Sequence, residues 1–157
     1  MKKTLITTLL SLCAVFTLSA GEPVAAGIWF NSTADNVEGV GFGLPIIGTE
    51  STAGASLAFC GNHTEKMDGL QFSFFGFNFA ESLEGVQLSL VNIQEEQHGD
   101  FALQWGLYNQ SGENGIQVGF INNASNNASF QLGFININKN GLLPVMLFIN
   151  FGSDIFD

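Results

Sequence analysis

Apolar and polar positions alternate along this chain in short bursts, and the bursts recur. Ile116, Val118 and Phe120 fall on one side of the alternation, and Gln117 and Gly119 fall on the other. A period of two is the signature of a β-strand. The segment Gly115-Ile116-Gln117-Val118-Gly119-Phe120-Ile121-Asn122 is followed by Phe130-Gln131-Leu132-Gly133-Phe134-Ile135-Asn136, so Gln117 and Gln131 lie 14 residues apart, as do Asn122 and Asn136. An internal repeat of this kind decides architecture before any single residue does.

The shared phrase is Gln, apolar, Gly or Ser, apolar, apolar, Asn. It returns from Gln87 to Asn92 and from Gln104 to Asn109, and from Gln71 to Asn78 with two extra residues. Pro144 to Asn150 closes the series, with Val145 where Gln is expected. Clear repeats occupy residues 69–152. Fainter copies run forward through Ser56-Leu57-Ala58-Phe59, then Gly41-Phe42-Gly43-Leu44, then Ala26 to Asn31. Turn-formers separate the phrases, as in Ser111-Gly112-Glu113-Asn114-Gly115 and Asn138-Lys139-Asn140-Gly141. No window sustains a period of 3.6, so an all-β chain is predicted.

Two architectures can hold these strands. In a parallel β-solenoid or β-roll of about 14-residue coils, identical residues stack on one another. In an antiparallel up-and-down meander, or a small outer-membrane barrel, each repeat is one strand and one tight turn. The constant offset of Gln and Asn favours the solenoid, because antiparallel neighbours bring different positions opposite one another. Adjacent apolar pairs such as Phe120 and Ile121 fit a coil that bends between them and buries both. Asn140-Gly141 is a hairpin signal and speaks for the meander. The solenoid is the reading adopted, with each copy expected to shield its neighbour's apolar side chains.

Within that reading the amides have a structural task. A buried carboxamide without a partner is costly, whereas stacked carboxamides satisfy one another. Gln71, Gln87, Gln104, Gln117 and Gln131, with Asn78, Asn92, Asn109, Asn122, Asn136 and Asn150, are therefore assigned to a structural ladder. Gly106, Gly119 and Gly133 are expected where backbones approach closely or bend.

The ends and composition refine the picture. Met1-Lys2-Lys3, an apolar run from Thr4 to Leu18 and the small residues Ser19-Ala20-Gly21 read as a secretory signal peptide over residues 1–20, cleaved after Ala20, with a single domain over 21–157. Leu12 before Cys13 does not suit a lipoprotein signal. With Cys13 removed, Cys60 is alone, no intramolecular disulfide forms, and Cys60 reads as a small buried hydrophobe. The formal net charge is −10, and cleavage leaves Lys66 and Lys139 as the basic side chains. Such a surface repels phosphate backbones and anionic lipid headgroups, so no nucleic-acid partner is expected.

Candidate chemistry is thin. Glu95-Glu96-Gln97-His98 is the one place where acid and imidazole meet, and it reads as a solvated loop tip rather than a metal site. His63 and His98 fall in expected turn regions and support no nucleophile–histidine–acid order. No catalytic, cofactor-binding or metal-ligating residues are assigned, and no cofactor.

From Gly85 to Asn150 the sequence resembles the leptospiral-type family of bacterial surface-repeat proteins, whose phrase reads Gly-apolar-Gln-apolar-Gly-apolar-apolar-Asn. The family tends to close on a Pro-containing phrase, as Leu143-Pro144-Val145 through Asn150 does here. The resemblance covers the second half well and the first half poorly. It implies an exported, cell-surface or outer-membrane-associated protein of unknown activity, and it supplies no catalytic residues. The signal, the repeats and the missing catalytic constellation together read as a non-enzymatic exported scaffold, in the periplasm if not at the surface or outer membrane, that meets an envelope or surface partner or associates with itself. In such a chain the glycosylation patterns at Asn31, Asn62, Asn123 and Asn127 are expected to be idle. An integral outer-membrane barrel is the alternative.

Overall fold

The computed structural model describes residues 24–29, 32–96, 101–112 and 115–153. Residues 1–23, with the expected signal peptide, the 97–100 segment with His98, and the tail with Asp154 and Asp157 lie outside them. Ten strands follow one another: β1 Val24–Trp29, β2 Ser32–Gly43, β3 Ile46–Ala58, β4 Gly61–Ser73, β5 Phe77–Leu88, β6 Val91–Glu96, β7 Ala102–Ser111, β8 Ile116–Ala124, β9 Phe130–Asn138 and β10 Val145–Phe151. They form one sheet in sequence order, parallel from β1 to β9. The chain winds as a β-solenoid of about seven turns, about 15 residues apart.

Each coil has two walls. In β4 the first wall is 61–64 and the second is 70–73, joined by an arc at 65–69, and a tip at 74–76 leads into the next coil. Glycine makes the arc. Gly54, Gly69 and Gly85 share one column, and Gly69 has φ +127°, a region that favours glycine. A Cβ on Gly69 would also fall onto the carbonyl oxygen of Gly54. Inside the arc Val37, Thr52, Met67 and Leu83 lie in register and are buried.

Stacking steps vary while the walls stay in register. Asn62 to Asn78 is 16 residues, Asn78 to Asn92 is 14, Asn92 to Asn109 is 17, and Asn109 to Asn122 is 13. The corners absorb the difference: the two extra residues after Gln71 sit in the Phe74-Phe75-Gly76 tip. Register is held because a slip would break the interior pairing of every coil at once. The faint copies align too, with Gly41, Ser56 and Gln71 in one column. Gly27, not Ala26, joins that column at the front, one residue later than the repeat suggested.

One pair is antiparallel. After Asn138 the chain turns through Lys139-Asn140, and β10 runs back along β9, with Asn150 opposite Gln131 and Phe151 opposite Phe130. The Asn140-Gly141 signal is therefore a real hairpin, used once, to cover the last coil. Asn150 accordingly leaves the column of Asn136: its Nδ2 donates to the carbonyl of Leu143 at 2.9 Å. Parallel pairing along a stack leaves the meander and the barrel without support.

Candidate functional site

The repeated phrase is a strand that turns a corner: β7, β8 and β9 run through it, whereas bends at 74–76 and 89–90 interrupt the earlier copies. In Gln104–Asn109, Gln104 pairs with Gln87 on the second wall, while Asn109 pairs with Asn92 on the first wall of the next coil. The chain turns at Leu107, and the turn changes which parity faces inward. Gln, Gly and Asn of each phrase point into the coil, and the apolar residues between them point out.

The interior is filled with carboxamides. Gln71, Gln87, Gln104, Gln117 and Gln131 are buried, as are Asn62, Asn78, Asn92, Asn109, Asn122 and Asn136. Nε2 of each Gln donates to Oε1 of the Gln one coil earlier: Gln87 to Gln71 at 2.8 Å, Gln104 to Gln87 at 2.9 Å, Gln117 to Gln104 at 2.9 Å and Gln131 to Gln117 at 2.7 Å. The Asn column runs the other way, with Asn109 Nδ2 donating to Asn122 Oδ1 at 2.8 Å and Asn122 Nδ2 to Asn136 Oδ1 at 2.8 Å.

The second N–H of each amide ties the two walls together. Gln104 donates to the carbonyl of Gln110 at 2.8 Å, and Asn109 donates to that of Val118 at 2.9 Å. Ser73 and Ser89 add hydroxyl donors to Asn78 and Asn92. From Gly106 onward glycine takes that place. A Cβ on Gly119 would sit 2.5 Å from Asn109 Nδ2, so the space belongs to the amide.

The columns end differently. At the front Gln71 Nε2 donates to Thr64 Oγ1 at 3.1 Å, and Thr49 donates to the same hydroxyl at 2.9 Å. At the back Asn136 Nδ2 finds the carbonyl of Gly133 at 2.9 Å, while Oε1 of Gln131 has no hydrogen-bond partner among the described residues.

The exterior inverts the expected burial. Phe42, Leu57, Phe72, Leu88, Trp105, Val118 and Leu132 form one unbroken outward column on the second wall. Phe59, Phe74, Phe75, Leu90, Leu107, Phe120 and Phe134 crowd the tips, all exposed. The expectation that the coil buries Phe120 and Ile121 is corrected: Phe120 is exposed at the tip and Ile121 is half-buried on the outer face. Beyond the buried arc residues such as Val37, Met67 and Leu83, the coils do not hide the phrase's apolar side chains in a common core. They lay them side by side on the outside, as in the stacked rings of Phe120 and Phe134, 5.2 Å apart.

Along the second-wall tips runs an apolar groove of about 470 Å³, bordered by Trp105, Leu107, Val118, Phe120 and Leu132 over Gly106, Gly119 and Gly133. Phe148 closes its end, held at φ 69° at the bulge in β10, with its ring edge-on to Phe134 at 6.0 Å. On the opposite side the arc is polar. Glu50, Glu65, Glu81 and Glu95 line a groove of about 600 Å³ with Ser51, Lys66 and Ser82. Thus the molecule has an apolar flank and an acidic edge.

Other sequence candidates fall away from both. His63 lies in β4, not in a turn, and stacks on Phe79 at 4.8 Å. Cys60 is free and half-buried at a tip rather than a core residue. Asn62 is an interior amide, which explains physically why its glycosylation pattern is inaccessible in the fold. No group of three His, Cys, Asp or Glu suited to a metal occurs among the described residues, and no helix there is long and apolar enough to cross a membrane. The exposed flank was missed from sequence, although the parity of the phrase carries it: once Gln and Asn face in, their neighbours face out. No protein-family model, curated protein or solved structure matches the chain.

Proposed function

We propose that this chain is an exported, non-enzymatic surface-repeat scaffold that acts by contact along its apolar flank. The observation that carries the reading is the unbroken column from Phe42 to Leu132, displayed on a stack whose interior is locked by paired amides. A large apolar surface facing outward marks a place of interaction. The basic start, apolar run and small residues up to Ala20 support export, and the resemblance to leptospiral-type surface repeats supports an envelope setting. The partner class is an envelope or surface component. Nucleic acid is disfavoured by the charge of −10.

The test is processing and placement in a bacterial host. The expected result is a chain beginning near Gly21, in the envelope fraction, labelled on intact cells by an amine reagent at Lys66 or Lys139. A full-length chain retained in the cytoplasm overturns the reading, as does robust hydrolase or transferase turnover by the purified mature chain. A carbonate wash that releases the protein separates a scaffold from an integral barrel.

A further inference from the structure

The groove along the second-wall tips has a definite width, floor and end. Outward side chains two residues apart on a strand stand about 7 Å from one another, and at a corner they splay. Trp105, Val118 and Leu132 form one side of the groove, and Leu107 and Phe120 form the other. The bare main chain of Gly106, Gly119 and Gly133 is the floor. Three coils at about 4.8 Å each make the groove about 14 Å long. In the coil of β4 the same gap is closed, because the rings of Phe72 and Phe74 meet across it edge-on at 4.8 Å. At the far end Phe148 pairs opposite Gly133, an inward position, yet it is 62% exposed. The bulge between Leu147 and Phe148, with φ 69° at Phe148, turns that ring onto the end of the groove. A left-handed φ is costly for a bulky side chain, and such outliers gather at ligand clamps.

We infer that this groove is a binding site for a flat, elongated aromatic molecule without negative charge, lying along the axis of the stack. The site goes beyond the scaffold reading and stands without it. Shape and chemistry select the occupant. The groove's volume of about 470 Å³ lies within the range of about 300–1,000 Å³ typical of small-molecule sites. An α-helix, about 10 Å across, is too wide for a slot of about 7 Å. An added peptide strand finds no hydrogen bonds there, because the main chain of the floor pairs with the coils before and after it. The peptide's own amides would then be buried unpaired. No side chain lining the groove is charged, and the indole N–H of Trp105 is the one side-chain donor among them. The occupant is therefore apolar along its length. Three aromatic rings, Trp105, Phe120 and Phe148, stand among the six lining side chains and favour a π-system over an alkyl chain. A positive charge on that system gains from the ring faces and from a chain of net charge −10, which repels an anion.

The experiment is titration of the mature chain with thioflavin T, a planar aromatic cation, followed by dye fluorescence and by equilibrium dialysis, with circular dichroism as a check on folding. The expected result is one dye per chain, with a Kd on the order of 10–100 µM, as the ligand efficiency of drug-sized molecules allows. Val118→Trp fills the slot from its side, leaves the amide interior untouched, and should weaken binding by more than about 10-fold. Leu57→Gln, four coils earlier in the same outward column, should leave binding unchanged. Phe148→Gly suits a backbone at φ 69°, so it should keep the fold while weakening binding several-fold. Absence of saturable binding overturns the inference, as does binding of several dyes along one chain. Equal losses in Leu57→Gln and Val118→Trp, or a folded Phe148→Gly chain that binds as tightly as wild type, also overturn it. Displacement of the dye by dodecanol and not by acridine assigns the groove to alkyl chains and overturns it as well.

Discussion

Nε2 of Gln117 donates to Oε1 of Gln104 across 2.9 Å, one coil toward the amino terminus, with both side chains sealed from water. The neighbouring Asn column points its donors the opposite way, from Asn109 to Asn122. Two hydrogen-bonded rows of opposite polarity therefore run side by side down the coil. Their dipoles oppose one another, so the interior gathers no net dipole along the stack. Hydrogen bonds in such rows polarise and strengthen each other in a low-dielectric interior.

The position of an amide in its row should set its worth. Gln117→Leu removes the donor to Gln104 Oε1 and the acceptor of Gln131 Nε2. Leaving buried polar atoms unpaired costs about 1–3 kcal/mol. Gln131→Leu should cost less, because Oε1 of Gln131 serves no further coil. Urea melts of the two variants should show this order, and equal midpoints would remove the row from the account.

Gly119→Ala should destabilise the stack by about 1–3 kcal/mol, the usual range for overpacking. The new methyl meets Asn109 Nδ2 and the Gly106 carbonyl, and neither can move without breaking pairs in the next coil. A thermal midpoint unchanged from wild type would mean that the space is not filled as described.

The β10 strand should guard the end of the stack. It pairs along β9 and takes up hydrogen bonds that would otherwise template another strand. Removing residues 142–157 should turn the chain from a discrete species into one that assembles end to end, seen as rising light scattering over time. A truncated chain that stays discrete at high concentration would deny β10 this role.

The acidic arc should make stability depend on salt. Glu50, Glu65 and Glu81 follow the in-register residues Thr49, Thr64 and Ala80, so like charges recur through these successive coils. Neighbouring strands lie about 4.8 Å apart, well within the Debye length of about 10 Å at 0.1 M salt. The thermal midpoint should rise as sodium chloride increases from low ionic strength to about that concentration, and Lys66→Glu should steepen the rise. A midpoint independent of salt in both proteins would contradict this.

Much of the fold was legible because the repeat fixes which residues stack. The constant offset between Gln104 and Asn109, and between Gln117 and Asn122, can be satisfied by parallel coils and not by antiparallel neighbours. The inside and outside of the coil were harder to read. Hydrophobicity suggests that Phe120 and Leu107 go in, but the coil interior is narrow and already occupied by amides from both walls. Only the pairing of amides between coils makes that polar filling cheaper than an apolar one. Asn150 was misread for a different reason: its phrase has the spacing of a repeat, and spacing alone does not reveal that the chain has reversed at Asn140-Gly141. The arc seam of Val37, Thr52, Met67 and Leu83 has no common residue type, and so it left no signal in the phrase.

The central claim is that paired carboxamides, beside an apolar seam at the arc, fill the corner of each coil in this solenoid. Hydrogen exchange of the side-chain NH₂ groups of Gln87, Gln104, Gln117, Asn109 and Asn122, followed by NMR after transfer into D₂O, tests it directly. The account predicts signals that persist alongside the most protected backbone amides of the walls. Exchange at the rate of free carboxamides, in a chain whose backbone stays protected, would contradict it.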